Sequence, residues 1–178
     1  MNCCPTEAPF DERESTETVI NDRSIERCES CGGQNRPVSR KTVLLMLKPH
    51  LLEQAMTGTY SFCAARECPV VYFEEQGSHS FTTDDLRLRV GVKESADPIP
   101  LCYCFGFDES HIRDEISKTG ETTIPKRISA LIREGLCACE SRNPAGVCCL
   151  GEVNRAVKRL TGKKAVIRRA PTKRRFST

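Results

Sequence analysis

Tryptophan is missing from this chain, and aromatic residues make up only 6% of its 178 residues. Because aromatic side chains supply much of the apolar area of protein cores, their scarcity argues against one large hydrophobic core. Small domains with lean cores usually need staples such as disulfides or metal ions. The length allows one ordinary domain or two small ones, and we expect two.

Export signals and membrane spans are also missing. Residues 1–22 contain no apolar stretch and carry six acidic side chains against one arginine, the reverse of an export signal. No run approaches the ~20 apolar residues that cross a bilayer, so we expect no membrane insertion. A cytoplasmic chain keeps its thiols reduced. We therefore expect the twelve cysteines to bind metal or to carry out redox chemistry rather than to form disulfides.

The usual constellations of enzymes are likewise absent. No Ser/His/Asp set, phosphate-binding glycine loop or pair of carboxylates stands out in the sequence. No catalytic residue is predicted. The sequence therefore indicates a carrier, with redox chemistry at most, rather than an enzyme.

The two ends of the chain carry opposite charge. Residues 1–22 sum to −5, whereas residues 163–178 hold seven positive side chains and no acid, and both are predicted to be disordered tails. The basic tail lacks interleaved aromatic residues, so a nucleic-acid partner is not favoured. Cys3 and Cys4 in the acidic tail are either an incidental pair or a capture site for a soft ion such as Cu(I).

Two cysteine pairs mark a first candidate metal site. Cys28 and Cys31 form a C-x2-C followed by two glycines, as in a zinc knuckle. Cys63 and Cys68 form a C-x4-C further along the chain. Four thiolates are the ligands of a closed tetrahedral Zn(II) site. The alternative, a redox-active C-x-x-C, lacks the surrounding thioredoxin-like βαβ pattern.

Short strands are predicted around this site, because β-branched and aromatic runs alternate with turn residues. The predicted strands cover residues 42–47, 60–63, 70–73, 79–81 and 86–92. Residues 23–96 are therefore expected to form a β-rich module that a bound zinc ion stabilises.

Helices are predicted after the proline-rich residues 93–100, which suit a linker. The three predicted helices cover residues 108–120, 122–135 and 150–162. Asp108 is a good N-cap, and Gly120 and Gly135 are suitable stops. Residues 97–162 are thus expected to form a helical domain that is too small to be stable without a cofactor. The predicted fold class is α+β.

The remaining cysteines lie at the ends of these predicted helices. They are Cys102, Cys104, Cys137, Cys139, Cys148 and Cys149. Thiolates that converge from loops at helix starts are suited to iron–sulfur clusters, because free backbone amides there stabilise the negative charge of the cluster. We predict a [2Fe–2S] cluster. A second zinc ion is the alternative for the same thiolates.

The cysteine pattern of this region resembles two families of metal proteins. Cys102-x-Cys104, a helix pair and a later cysteine pair resemble the bacterioferritin-associated ferredoxin type of [2Fe–2S] domain. The element that begins at Cys139, Cys-x3-Asn-Pro-x-Gly-x-Cys-Cys, resembles the N-terminal part of archaeal-type CopZ copper chaperones. In that family a zinc module precedes a [2Fe–2S] module. The resemblance spans residues 25–162.

Cluster ligands follow from this resemblance. It implies Cys102, Cys104 and Cys139 as three of them. The fourth is Cys148 or Cys149, and Cys149 is favoured because it places the following apolar residues where the third helix of the ferredoxin type is apolar. Cys137 fits the ferredoxin gap length and is an alternative to Cys139.

The resemblance also implies a function. It indicates a cytoplasmic metallochaperone-like protein of copper homeostasis, with electron transfer and reduction of Cu(II) to Cu(I), the form that thiolates hold. The family continues into a heavy-metal-associated domain, which we expect this chain to lack. Its expected partners are therefore a copper-transporting ATPase or a separate protein with that domain. The alternative is a zinc-only regulatory or interaction module whose basic tail binds nucleic acid or an acidic partner.

Overall fold

The computed structural model of the protein describes residues 27–33, 35–77 and 79–167. Strands dominate the first part of this range and helices the second, which confirms the predicted α+β class. Cys3, Cys4 and residues 168–178 lie outside the described residues. Among the helices that are described, none has the length and apolar character needed to cross a membrane.

Four antiparallel strands form the sheet of the first part. They are β1 (Asn35–Val38), β2 (Tyr60–Cys63), β3 (Val70–Glu74) and β4 (Ser80–Thr82). The strands are neighbours in chain order, so each connection joins adjacent strands. All four residues of β2 are buried, and its Phe62 lies opposite Arg36 of β1 and Tyr72 of β3. The predictions at residues 60–63, 70–73 and 79–81 agree with these strands.

A helix replaces the strand predicted over residues 42–47. Helix α1 runs over Arg40–Met46, and the Ser39 hydroxyl caps it by accepting a hydrogen bond from the Thr42 amide at 3.1 Å. Val43, Met46 and Leu47 are all buried, at the i, i+3, i+4 spacing of one helical face. The strand prediction was wrong because it gave the β-branched Thr42 and Val43 more weight than this helical spacing.

The strand predicted over residues 86–92 is also absent from the described chain. Only Leu86 forms a bridge, with Leu47, and a 3₁₀ turn follows at Gly91–Lys93. Gly91 packs so closely on the linker that a Cβ atom there would lie 1.8 Å from the carbonyl oxygen of Pro100. The chain thus leaves the sheet to approach the linker instead of pairing again.

A small hairpin and four α-helices form the second part of the described chain. The hairpin pairs β5 (Pro100–Cys102) with β6 (Phe107–Asp108), and the helices are α2 (Glu109–Thr119), α3 (Ile124–Arg133), α4 (Cys139–Arg142) and α5 (Leu150–Ile167). Asp108 caps α2 and Gly120 ends it in the left-handed conformation, as predicted. Ile112, Ile128 and Val153 are fully buried where α2, α3 and α5 meet.

Hydrogen bonds join the sheet to the helical part. The buried Tyr72 hydroxyl of β3 donates to the carbonyl oxygen of Pro144 at 2.8 Å. The Thr42 hydroxyl donates to the carbonyl oxygen of Glu140. Both acceptors lie in α4 or the loop after it, which carries the cysteine-rich element. The sheet therefore helps to position that element.

Candidate metal centres

The first four cysteines come together at one end of the sheet. The sulfur atoms of Cys28, Cys31, Cys63 and Cys68 all lie within 4.8 Å of one another. The Cys28 and Cys68 sulfurs are 3.9 Å apart, and those of Cys31 and Cys63 are 3.6 Å apart. A tetrahedral ion with Zn–S bonds of about 2.3 Å requires sulfur–sulfur distances of about 3.8 Å. The four thiols therefore fit a single Zn²⁺.

Turns and strand ends hold these thiols in place. The amides of Cys31 and Gly32 donate to the carbonyl oxygen of Cys28 at 3.2 and 2.7 Å, and Gly32 has a φ of +65°, which glycine adopts without strain. The Gly33 amide then donates to the Cys31 sulfur at 3.4 Å. On the other side, Cys63 ends β2 and a turn leads to Cys68 just before β3.

The proton affinities of these thiols differ because their surroundings differ. Burial raises the pKa of Cys63 to about 12. Burial also opposes ionisation of Cys68, but hydrogen bonds from the Ser30 hydroxyl and the Val70 amide outweigh it and lower its pKa to about 7. A bound cation favours the thiolate form throughout such a site. Cys31 is the one exposed thiol of the four.

Lys93 is a residue of this site that sequence reasoning missed. Its ammonium group donates to the carbonyl oxygens of Ala65 and Cys68 at 2.6 and 3.0 Å, and its charge opposes the rise in the pKa of Cys63. Four thiolates around Zn²⁺ leave a net charge of about −2, which a nearby cation partly offsets. No sequence signal marked Lys93, because it lies 25 residues beyond Cys68 and approaches only through the fold.

Four of the remaining cysteines form two pairs in the helical part. The Cys104 and Cys139 sulfurs are 3.7 Å apart, and both side chains are half-buried. Cys102 and Cys149 are 1% and 2% exposed, and their side chains are hydrogen-bonded to each other. Three of these cysteines are the ones that the resemblance implied, and Cys149 accompanies Cys102 in the buried pair.

Backbone amides support these two pairs. The Ala138 amide donates to the Cys104 sulfur at 3.4 Å, and the Cys149 amide donates to the Cys139 thiol. Cys139 is the first residue of α4, and Cys149 immediately precedes α5. Thiols at helix starts with amide donors are well placed to carry negative charge, as predicted.

The Asn-Pro element closes the loop between Cys139 and Cys149. Asn143 is 7% exposed, and its side chain donates to the carbonyl oxygen of Val147 at 2.6 Å and accepts from the Ala145 amide at 3.1 Å. These two hydrogen bonds hold the backbone of the loop in a fixed conformation. The loop therefore helps to keep Cys139 and Cys149 at its two ends close enough for the hydrogen bond between them.

The hydrogen bond between Cys102 and Cys149 shifts their pKa values in opposite directions. The Cys149 thiol donates to the Cys102 sulfur, which lowers the pKa of Cys102 to about 6 and raises that of Cys149. Burial raises the pKa of Cys139 to about 12. All three would lose their protons to a metal group.

Cys137 and Cys148 stand apart from the two pairs. Cys148 is exposed, and it affects Cys139 and Cys149 only as a nearby charge that raises their pKa values. Cys137 is half-buried, and within the described residues its side chain makes no hydrogen bond. The two pairs therefore contain Cys149 and Cys139, and neither Cys148 nor Cys137 belongs to them.

Fold and sites together define a cysteine-rich metal-binding protein with a strand-rich zinc region and a helical region. Residues 25–87 match the CopZ family model described as a zinc-binding domain. The chain is 32% identical over 147 residues to the copper chaperone CopZ of Archaeoglobus fulgidus, covering 83% of this chain and 69% of that protein. The chain therefore belongs to the CopZ family.

A solved structure extends this likeness to the fold. The chain matches the X-ray structure of the Archaeoglobus fulgidus CopZ N-terminal domain with a TM-score of 0.59 and 32% identity. The match covers 73% of this chain and 96% of that domain, which is more of the chain than the zinc-binding family model covers. The recognition of an archaeal-type CopZ N-terminal region from the sequence is confirmed.

Proposed function

We propose that this chain is a metallochaperone-like protein of copper homeostasis that holds structural zinc and a redox-active [2Fe–2S] cluster. The proposal depends chiefly on the second set of thiols, which forms two pairs instead of one compact group. The printed name of its relative, a copper chaperone, supports copper as the cargo.

Zinc would be held by Cys28, Cys31, Cys63 and Cys68, whose sulfurs fit one tetrahedral ion. The role is structural, because three of these thiols are buried and the site joins the start of the described chain to β2 and β3. A core this lean in aromatic residues gains much of its stability from such a staple.

The cluster would be held by Cys102, Cys104, Cys139 and Cys149. Each iron of a [2Fe–2S] cluster takes two thiolates, and the described thiols form two pairs, Cys104 with Cys139 and Cys102 with Cys149. Among the described residues, only the first four cysteines have all their sulfurs within 4.8 Å of one another. This difference favours a two-iron group over a second zinc ion.

The surrounding chain would tune this group. Cys102 and Cys149 are buried, whereas Cys104 and Cys139 are half-buried, so one pair is shielded from water and the other faces it. When bound, a [2Fe–2S] cluster supplies one electron at a time, which is the change between Cu(II) and Cu(I). The half-buried pair offers the shorter route to copper or a redox partner.

Cargo and partners complete the proposal. Cu(I) prefers few, soft thiolate ligands, so Cys3 and Cys4 or the exposed Cys148 are candidates to receive it. The partners would be a copper-transporting ATPase or a protein with a heavy-metal-associated domain, in the cytoplasm.

Metal and sulfide content of protein purified without oxygen tests the function. We expect about one zinc, two irons and two sulfides per chain, with charge-transfer absorption between about 300 and 600 nm. Two zinc ions and no such absorption would overturn the cluster and favour the zinc-only interaction module.

Copper reduction is tested separately. Dithionite-reduced, desalted protein is mixed anaerobically with Cu(II) and a chelator that absorbs only with Cu(I). We expect about one Cu(I) per cluster as the cluster absorption returns, because the cluster gives one electron. A cluster that stays reduced in the presence of Cu(II) would contradict the redox role while leaving the metal sites intact.

A further inference from the structure

A cleft of about 480 Å³ separates the zinc region from the helical region. Strands β1 and β2 form one wall, and β5, the Asn-Pro loop and α5 form the other. None of the eight clustered cysteines lines it. Small-molecule sites are typically clefts of ~300–1,000 Å³ with apolar walls and a few polar groups. The size of this cleft is therefore that of a ligand site distinct from both metal centres.

Rigid apolar side chains form much of the wall. Phe62 and Leu101 are 4% and 8% exposed. The Tyr103 ring is fixed because its hydroxyl accepts a hydrogen bond from the Gly91 amide at 2.8 Å and donates to the carbonyl oxygen of Arg89 at 3.1 Å. A preformed wall of this kind suits a flat apolar group, since little side-chain ordering is needed on binding.

Positive charge exceeds negative charge around the cleft. Four arginines line it, and among the described lining residues Glu152 is the single acidic one. Arg155 pairs with Glu152, and Arg159 pairs with Glu109 behind the wall.

Two of the four arginines have no such partner. The side chains of Arg36 and Arg66 form no ion pair or hydrogen bond with any residue that the structure describes. They come from β1 and from the turn between the two zinc-site cysteines Cys63 and Cys68. Two guanidinium groups without a described acidic partner, beside an apolar wall, favour the binding of an anion.

We propose that this cleft binds a small organic anion with a carboxylate and an apolar, preferably aromatic, body. The planar guanidinium group of Arg36 or Arg66 matches a carboxylate in geometry, and the body would lie against Phe62 and Tyr103. This site does not depend on the proposed zinc and cluster sites, because its lining includes none of the eight cysteines assigned to them.

Residues 1–22, with a charge of −5, are a competing occupant of the same sign. The small anion is favoured because the cleft has the volume and the apolar wall of a small-molecule site, whereas the acidic segment has few apolar side chains to cover that wall. Deletion of the segment distinguishes the two occupants. It should leave the affinity for a small anion nearly unchanged if the cleft is free, and should uncover that binding if the segment occupies the cleft.

Calorimetric titration of the zinc-loaded full chain tests the proposal with 2-naphthoate as the probe and 2-naphthamide as its neutral analogue. We expect one site per chain and at least about tenfold tighter binding of the carboxylate, weakening as salt rises. Equal binding of the two probes, or no binding of either, overturns the proposal.

Arginine variants locate the site. Arg36→Gln with Arg66→Gln should weaken 2-naphthoate binding about tenfold and leave 2-naphthamide unchanged. Both arginines are exposed, so zinc content should be unaltered and serves as the folding check. Arg133→Gln, at the exposed end of α3, is the matched control and should change nothing. An unchanged affinity in the double variant overturns the assignment.

Two further measurements complete the test. Bound 2-naphthoate should slow anaerobic alkylation of Cys148, which lines the cleft, and leave alkylation of Cys137 unchanged in peptide mass spectra. Deletion of residues 1–22 should leave the affinity within about twofold. Binding that appears only after the deletion would assign the cleft to the acidic segment and overturn the small-anion proposal.

Discussion

The two thiol sets of this protein differ in how they meet. In the zinc region the four sulfurs converge on one point, and they are carried by a turn and by strand ends. In the helical region they form two separate pairs, whose cysteines lie at helix starts, at the end of β5 and in the turn that follows β5. The same side chain is thus presented in two different arrangements. The difference lies in the backbone that presents the thiol. A turn and strand ends bring four sulfurs to one point, whereas in the helical region backbone amides donate to the sulfurs of separate pairs.

The largest expected effect on either thiol set is that of losing a buried zinc ligand. Cys63→Ser should release zinc and unfold the sheet, because structural zinc contributes about 10–16 kcal/mol of apparent binding energy in small zinc domains. Zinc analysis and circular dichroism melting measure it. Cys137→Ser is the control. A variant that keeps a native melting curve without zinc would show that the core alone stabilises the region.

Loss of a cluster ligand should have a narrower effect. Cys104→Ser is expected to abolish or shift the charge-transfer absorption of the anaerobic protein while zinc stays bound. Cys148→Ser should leave the spectrum unchanged, because its thiol lies outside the two pairs. If Cys104→Ser removed zinc as well, the two regions would not be independent metal modules.

Tyr72→Phe tests the connection between the regions. The hydroxyl is buried and donates to the carbonyl oxygen of Pro144, so its removal should cost about 1–3 kcal/mol by leaving that oxygen unpaired. We expect faster loss of the cluster absorption in air than in the parent protein, with zinc content unchanged. Tyr60→Phe is the control, because that hydroxyl bonds to Thr57 within the zinc region. Equal cluster lifetimes in the two variants would contradict a positioning role for Tyr72.

The smallest predicted effect is at the cap of α2. Burial opposes ionisation of Asp108, but the Ser110 hydroxyl and the His111 amide donate to it and hold its pKa below the ordinary value. The capping contribution is therefore present above the unfolded pKa of about 3.9 and is lost as the pH falls through the lower folded pKa.

Asp108→Ala should cost about 1 kcal/mol at neutral pH and nearly nothing at the acid end, as measured by denaturant unfolding of the metal-loaded protein. Asp114→Ala, on an exposed position of the same helix, is the control. An equal loss of unfolding free energy for both variants at neutral pH would contradict the capping role of Asp108.

Local patterns were good guides wherever one interaction dominated. The strand at Tyr60–Cys63 and the helix start at Asp108 were predicted because buried apolar runs and caps act over a few residues. The segment 42–47 was misread because its β-branched Thr42 and Val43 favour a strand, whereas the Ser39 cap and the spacing of the buried residues favour the helix. The short helix α4 was missed because four residues carry no period.

By itself, the sequence determined the four-cysteine zinc site and the α+β class. Spacing along the chain restricts which thiols a turn or a helix start can present, so the two sets could be separated without coordinates. Tertiary structure decided the rest. It buried Cys149 and left Cys148 exposed, brought Lys93 to the zinc site and formed the arginine-lined cleft, because each depends on segments that meet only in the folded chain.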